Sequence, residues 1–161
     1  MINAIKKALT EKARSPHLAL GERGERAALR FLKRREGYRI VATNFRVPLG
    51  RGLTGHKLTA EIDIIAYDGD QLVFIEVKTR TSDEFIAPER AVDLRKQRQI
   101  ARAARRYRQL MKVTDESYRY DVVTVTACDK ERAVGDRIEV FRNYFDDSRF
   151  SRARFFADFH D

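Results

Sequence analysis

Apolar and polar residues alternate with period two through EIDIIAYDGDQLVFIEVKTR, residues 61–80, on both sides of an Asp-Gly step. Alternation flanking such a turn signal predicts a β-hairpin. In its first strand Glu61, Asp63 and Ile65 share one face, and Ile62, Ile64 and Ala66 the other. In its second, Leu72, Phe74, Glu76, Lys78 and Arg80 lie opposite Val73, Ile75 and Val77, because strand side chains point alternately to the two faces. With Asp68-Gly69 as the turn, Asp63 pairs with Phe74. It then lies diagonal to Glu76 on one face, roughly 7–8 Å away along the backbone.

Other periods fill in the chain. Residues 21–36 carry the helical stripe Ala28, Leu29 and Leu32, with Phe31 at its margin and Gly37 placed to cap the end. Residues 38–47 read as a first strand, followed by a Gly-rich basic loop over 48–58. A polar linker over 81–87 precedes a long helix expected from Pro88 to about Lys112, whose inward stripe includes Val92, Lys96, Ile100, Ala103, Ala104 and Tyr107. Residues 118–126 form a fourth strand and 138–141 a short edge strand. Helix, three strands, helix and one or two strands predict an α/β (α+β) fold, a mixed sheet of four to five strands flanked by helices. The helix between the third and fourth strands makes their pairing parallel. The expected organisation is a basic extension over 1–20, a domain over 21–142 and a Phe-rich tail over 143–161. The aromatics of that tail, among them Tyr144, Phe145, Phe150, Phe155, Phe156 and Phe159, suit packing on the domain, docking of a second copy or stacking on unpaired bases.

Charge narrows the partners. The 161 residues hold 33 Lys and Arg against 24 Asp and Glu, a formal net charge of +9, which favours a polyanion. Residues 89–112 contain nine basic residues and only Glu89 and Asp93 as acids. So one-sided a helix suits phosphate contact, although a solubilising face has the same composition. Arg95, Arg98, Arg102 and Arg105 on this helix, with Arg51, Lys57 and Arg80, are the candidate nucleic-acid contacts. No apolar run of about 18 residues exists, so no membrane partner is expected. The N-terminus is too polar for a secretory signal. The single cysteine, Cys128, excludes an intrachain disulfide and a cysteine zinc cluster, and a reducing cytoplasm is the expected location.

The candidate chemistry sits on the hairpin. Asp63 and Glu76 are carboxylates in an apolar setting, where unpaired charge is costly. Held together they repel, and a hard divalent cation such as Mg²⁺ or Mn²⁺ relieves the repulsion. Lys78 can hold a water or stabilise charge on a phosphate. The plainer reading is a surface Glu76–Lys78 ion pair. Glu25 lies three, four and seven residues before Ala28, Leu29 and Leu32, on the buried stripe; it also suits the positive end of the helix dipole. Lys96 lies on the apolar face of the long helix.

Asp63 followed by Glu76-Val77-Lys78 on the next strand resembles the PD-(D/E)xK nuclease core. Together with GERGERAALRFLKRREGYRIVATNFR, Lys96 and Ala101 to Tyr107, and YRYDVVTV, the chain resembles the YraN-type family of bacterial proteins from about Gly21 to Val125. The resemblance implies a restriction-endonuclease-like fold, similar to Holliday-junction resolvases. It also implies Asp63, Glu76 and the Val77 carbonyl as metal ligands, with Glu25 completing the set. Lys78 would serve the attacking water and Lys96 would support the site. Ala60 stands where the family usually has Gly, and the preceding loop is longer than usual. The expected function is a metal-dependent endonuclease on branched, nicked or single-stranded DNA. The alternative is a non-catalytic nucleic-acid-binding protein that keeps the fold. Symmetric cutting of two strands would suit a homodimer.

Overall fold

The computed structural model describes residues 16–51, 55, 57–81, 91–127 and 135–150. Helix α1 (Pro16–Arg34) leads into β1 (Arg39–Arg51), β2 (Lys57–Asp68) and β3 (Gln71–Thr81), then α2 (Leu94–Met111), β4 (Tyr118–Ala127) and β5 (Arg137–Phe145). A single 3-10 turn, Ser148–Phe150, follows. The strands form one sheet in sequence order, β1-β2-β3-β4-β5. Every pair is antiparallel except β3 with β4, which α2 links in parallel as expected.

One helix covers each face. Ala27, Ala28 and Leu32 of α1 bury against Ile64, Ala66, Val73, Ile75, Val77, Val123 and Val125. Ile100, Ala101, Ala103, Ala104 and Tyr107 of α2 bury on the other face against Val47, Ile62, Ile65, Phe74 and Val122. The helix ends follow local chemistry. Lys33 and Arg34 close the last turn of α1, where cations meet the negative end of the dipole, and Gly37 takes a φ of 74° just beyond. At α2 the Asp93 side chain accepts from Lys96 N at 2.7 Å, an N-cap.

Several boundaries differ from expectation. Helix α1 begins at Pro16, five residues before Gly21. Helix α2 begins after the Asp93 cap, because a capping carboxylate stops the helix there; Pro88 lies outside the described residues. Most of the expected loop over 48–58 is strand, with Arg51 paired to Lys57 and Pro48 to Thr59. Pro48 is tolerated because β1 is an edge strand. Strand β5 runs on to Phe145, and Phe145 and Phe150 join the α2-side core, with Tyr144 packed against it. Phe145 stacks on Tyr120 with ring centroids 4.4 Å apart. Residues 1–15, Cys128, Phe155, Phe156 and Phe159 lie outside the described residues.

Candidate active site

The β2–β3 turn is Gly69-Asp70, not Asp68-Gly69: Asp68 pairs with Gln71 and Tyr67 with Leu72. Gly69 has a φ of 58°, which a type II′ turn demands of its first central residue. The ladder therefore shifts by two residues from expectation. Ile64 pairs with Ile75, and one step further the register sets Asp63 opposite Glu76 rather than diagonal to it. The paired register ends at Ile64 and Ile75, and the Asp63 carboxylate occupies the seam beyond. Its Oδ2 accepts from Val77 N at 2.8 Å, in place of a backbone acceptor.

The expected sharing of faces on β2 fails at this point. Ile65 and Ile62 both pack on the α2 side, whereas strict alternation would separate them. Glu61, Asp63 and Ile64 line a cavity on the α1 side. The break has a counterpart on β1. Thr43 pairs with Ile64 and Phe45 with Ile62, which leaves Asn44 opposite Asp63. Asn44 has a φ of 51°, a left-handed conformation that few residues other than Gly and Asn adopt. Matching kinks on two neighbouring strands thus turn Asp63 into the seam instead of flat onto one face.

Glu76 enters the site from the α2 side. It is 3% exposed. Its Oε1 lies 2.9 Å from Lys78 Nζ and its Oε2 3.1 Å from Lys96 Nζ. Each carboxylate oxygen of Glu76 thus faces one lysine ammonium, from β3 on one side and from α2 on the other. Burial first, and then the Glu76 charge, push the Asp63 carboxyl up to about 7, against the Val77 N–H and Lys96, which favour its ionised form. Glu25 adds a smaller push in the raising direction.

Glu25 reaches the site because α1 passes very close to β3. A Cβ on Gly24 would lie 1.8 Å from Thr79 Oγ1, so only glycine lets the helix approach here. Glu25 then lines an open cavity of about 560 Å³ together with Glu22, Asn44, Arg46, Glu61 and Asp63. The Asn44 side-chain amide donates to Glu25 Oε2 at 3.0 Å. Glu25, Asp63, Glu76, Lys78 and Lys96 are thus gathered around the parting of the two inner strands, not at a sheet edge. Among the described residues no three His, Cys, Asp or Glu side chains are grouped tightly enough to form a metal cage.

Most of the candidate nucleic-acid contacts lie on α2 and the β1–β2 hairpin. Arg95 and Arg105 are exposed on the outer flank of α2. Arg98 sits over the Phe150 ring, and Arg102 donates to Leu49 O at 3.2 Å. That bond brings the β1–β2 hairpin, with Arg51 and Lys57 at its end, beside the basic flank. Arg51 donates to Gly55 O. Arg80 follows Lys78 by two residues on β3. Reading the sequence missed Gly24 and Asn44. A glycine within a helix and an asparagine within a strand were the available signals, since both are disfavoured there without a packing or conformational reason.

A mixed five-stranded sheet with one helix on each face and its acidic residues at the parting of two inner strands is a restriction-endonuclease-like core. Within that class the chain belongs to the uncharacterised protein family UPF0102, whose model matches residues 24–125. It is 43% identical over 106 residues to a UPF0102 protein of Caldicellulosiruptor saccharolyticus, covering 66% of this chain and 80% of that one. It is 46% identical over 118 residues to one of Koribacter versatilis, covering 73% and 75%. To one of Moorella thermoacetica it is 40% identical over 125 residues, covering 78% and 93%. A solved structure, that of SSO0001, overlays 99% of this chain and 68% of its own at a TM-score of 0.39 and 16% identity, too slight a likeness to argue from. No helix among the described residues is long and apolar enough to cross a membrane.

Proposed function

We propose that the protein is a metal-dependent endodeoxyribonuclease acting on branched, nicked or single-stranded DNA. The observation that carries the reading is the buried carboxylate pair in the seam: Glu76, 3% exposed between Lys78 and Lys96, and Asp63 driven toward its neutral form beside it. Perturbed acids held close together beside a cavity are concentrated at functional sites.

The donor set fits Mg²⁺ or Mn²⁺. Asp63 and Glu76 offer hard oxygens whose repulsion a divalent cation removes. The Val77 carbonyl belongs to the residue whose N–H binds Asp63, and Glu25 stands across the cavity as a further acid. A cation held there supplies Lewis-acid polarisation of a phosphate and a water of lowered pKa. The protein's own groups do the remainder. Lys78, one third exposed, orients the attacking water and stabilises charge that builds on the phosphate. Lys96 offsets the Glu76 charge from the α2 side. The basic flank of α2 and the hairpin end hold the phosphate backbone, a sequence-independent interaction that falls with salt. A cytoplasmic location and a homodimer complete the proposal.

One observation favours a second reading, a nucleic-acid-binding protein without catalysis. Both Glu76 oxygens already face lysine ammonium groups, and no third acid closes the site tightly among the described residues. End-labelled four-way junction, flap, single-stranded and linear duplex DNA, incubated with Mn²⁺ or Mg²⁺, separates the two. We expect metal-dependent cleavage by the wild type and none by Glu76→Ala purified identically. Equal DNA binding by both proteins with no cutting by either would establish the binding reading.

A further inference from the structure

We propose that Asn44 is a positioning residue that holds the Glu25 carboxylate toward Asp63 across the α1-side cavity. This rests on the reading of the seam as a divalent-metal site. Asn44 touches neither Glu76 nor the two lysines in any described contact, and acts only through Glu25.

Three observations meet at this residue. Its backbone is left-handed, with a φ of 51°, in the middle of an extended strand. It lies opposite Asp63 in the β1–β2 register. Its amide donates to Glu25 Oε2 at 3.0 Å, and all three residues line the same cavity. The kink alone does not demand asparagine, because glycine adopts a positive φ more readily. What asparagine adds is a donor on the side facing α1. Glu25 needs one. Its side chain has several rotatable bonds and is only half-buried, so without a partner it samples conformations that point away from the seam. A hydrogen bond to a carboxylate is among the stronger neutral-to-charged contacts and selects the conformers that face Asp63. The close approach of Gly24 to Thr79 fixes the backbone of α1 beside β3; Asn44 fixes the side chain that this approach delivers.

The test is Mn²⁺ binding to the full-length protein without DNA, followed by electron paramagnetic resonance and calorimetry. Four proteins are compared: wild type, Asn44→Gly, Glu25→Gln and the double variant. Glycine preserves the left-handed turn and removes only the amide, so melting temperature should not fall. We expect Asn44→Gly to weaken Mn²⁺ binding about tenfold, the order of one charge-assisted hydrogen bond. In the Glu25→Gln background the same substitution should cause no further loss. An equal loss in both backgrounds, or no loss in either, overturns the proposal. Wild-type protein that binds Mn²⁺ but cuts no DNA would defeat the nuclease reading and leave this one standing. Wild-type protein that binds no Mn²⁺ would overturn both.

Discussion

Two buried polar clusters centre on acids one step apart in the β3–β4 register, Asp121 beside Ile75 and Glu76 next along β3, and they are built in opposite ways. Asp121 is 1% exposed, and both of its carboxylate oxygens have several partners. Its Oδ1 accepts from Arg119 Nε and Asn143 N, each at 2.9 Å, and its Oδ2 from Tyr38 OH at 3.1 Å. Arg119 also donates to Gln71, Tyr38 and Asp68. Glu76 is 3% exposed, almost as deeply buried, yet its oxygens face the ammonium groups of Lys78 and Lys96, 2.9 and 3.1 Å away, and neighbouring Asp63 is pushed toward neutrality. At similar depth the two acids differ in what surrounds them: Asp121 is held by donors from Tyr38, Arg119 and Asn143, and Glu76 by two lysines whose side chains reach solvent. The Asp121 cluster ties the start of β1, the β2–β3 turn, β4 and β5 together, whereas the Glu76 cluster joins β3 to α2 through two partly exposed lysines.

The sharpest way to break this contrast is to remove one acid from each cluster. Asp121→Ala strips partners from Arg119, Tyr38 and the Asn143 N–H and leaves a guanidinium 13% exposed with less compensation. A loss of about 3–5 kcal/mol in urea unfolding is expected. Glu76→Gln leaves Lys78 and Lys96, whose side chains are 33% and 28% exposed and can extend to water. It should change stability by less than about 1 kcal/mol. Comparable losses from the two substitutions would erase the distinction.

A smaller effect, with a definite sign, comes from Asp63. Its native pKa of about 7 exceeds the ordinary value of 3.8, so between those limits the native state binds more protons than the unfolded state. Its contribution then falls as pH rises from about 4 to about 7. Asp63→Asn keeps an oxygen for the Val77 N–H and removes the charge. In metal-free protein the variant should gain on the wild type as pH rises from 5 to 8, by on the order of 1–3 kcal/mol. Adding Mn²⁺ should stabilise the wild type and not the variant. Denaturant unfolding at the two pH values, with and without Mn²⁺, decides it. A gap that shrinks with pH would reverse the account of Asp63.

Much of this architecture was legible in the sequence, and the losses have identifiable causes. Period-two runs located β2, β3 and β4, and the intervening helix fixed the parallel pair. The acids and lysines of the seam were named from spacing and resemblance. The hairpin register was misjudged because either Asp68-Gly69 or Gly69-Asp70 can form the turn, and both keep the parity of Glu76. The face of Asp63 could not be read at all, since the kink that turns it depends on Asn44, on the preceding strand, adopting a left-handed backbone. Alternation is a local rule; a paired break in it is set by the neighbouring strand. The start of α2 was missed for a simpler reason. Pro88 and Asp93 are both good helix-start signals, and the cap at Asp93 prevailed.

The exposed cations of α2 belong to neither cluster, and they sharpen the comparison by the smallest effect. Arg95 and Arg105 stand on its outer flank, while Arg98 and Arg102 already lean on Phe150 and the Leu49 carbonyl. Solvated charges of this kind contribute little to folding, so Arg95→Gln with Arg105→Gln should shift stability by no more than about 0.5 kcal/mol. If they meet phosphates, the plot of log K against log salt for duplex binding should flatten by up to about two units, near 0.9 for each phosphate that no longer has its arginine. If the protein is a nuclease, Glu76→Gln should do the reverse: cutting disappears, while binding holds. Binding isotherms at several salt concentrations measure both. An unchanged slope in the double arginine variant would move the phosphate-binding surface off the outer flank of α2. The hairpin end with Arg51 and Lys57, and Arg80 beside the seam, would then be the next surfaces to neutralise.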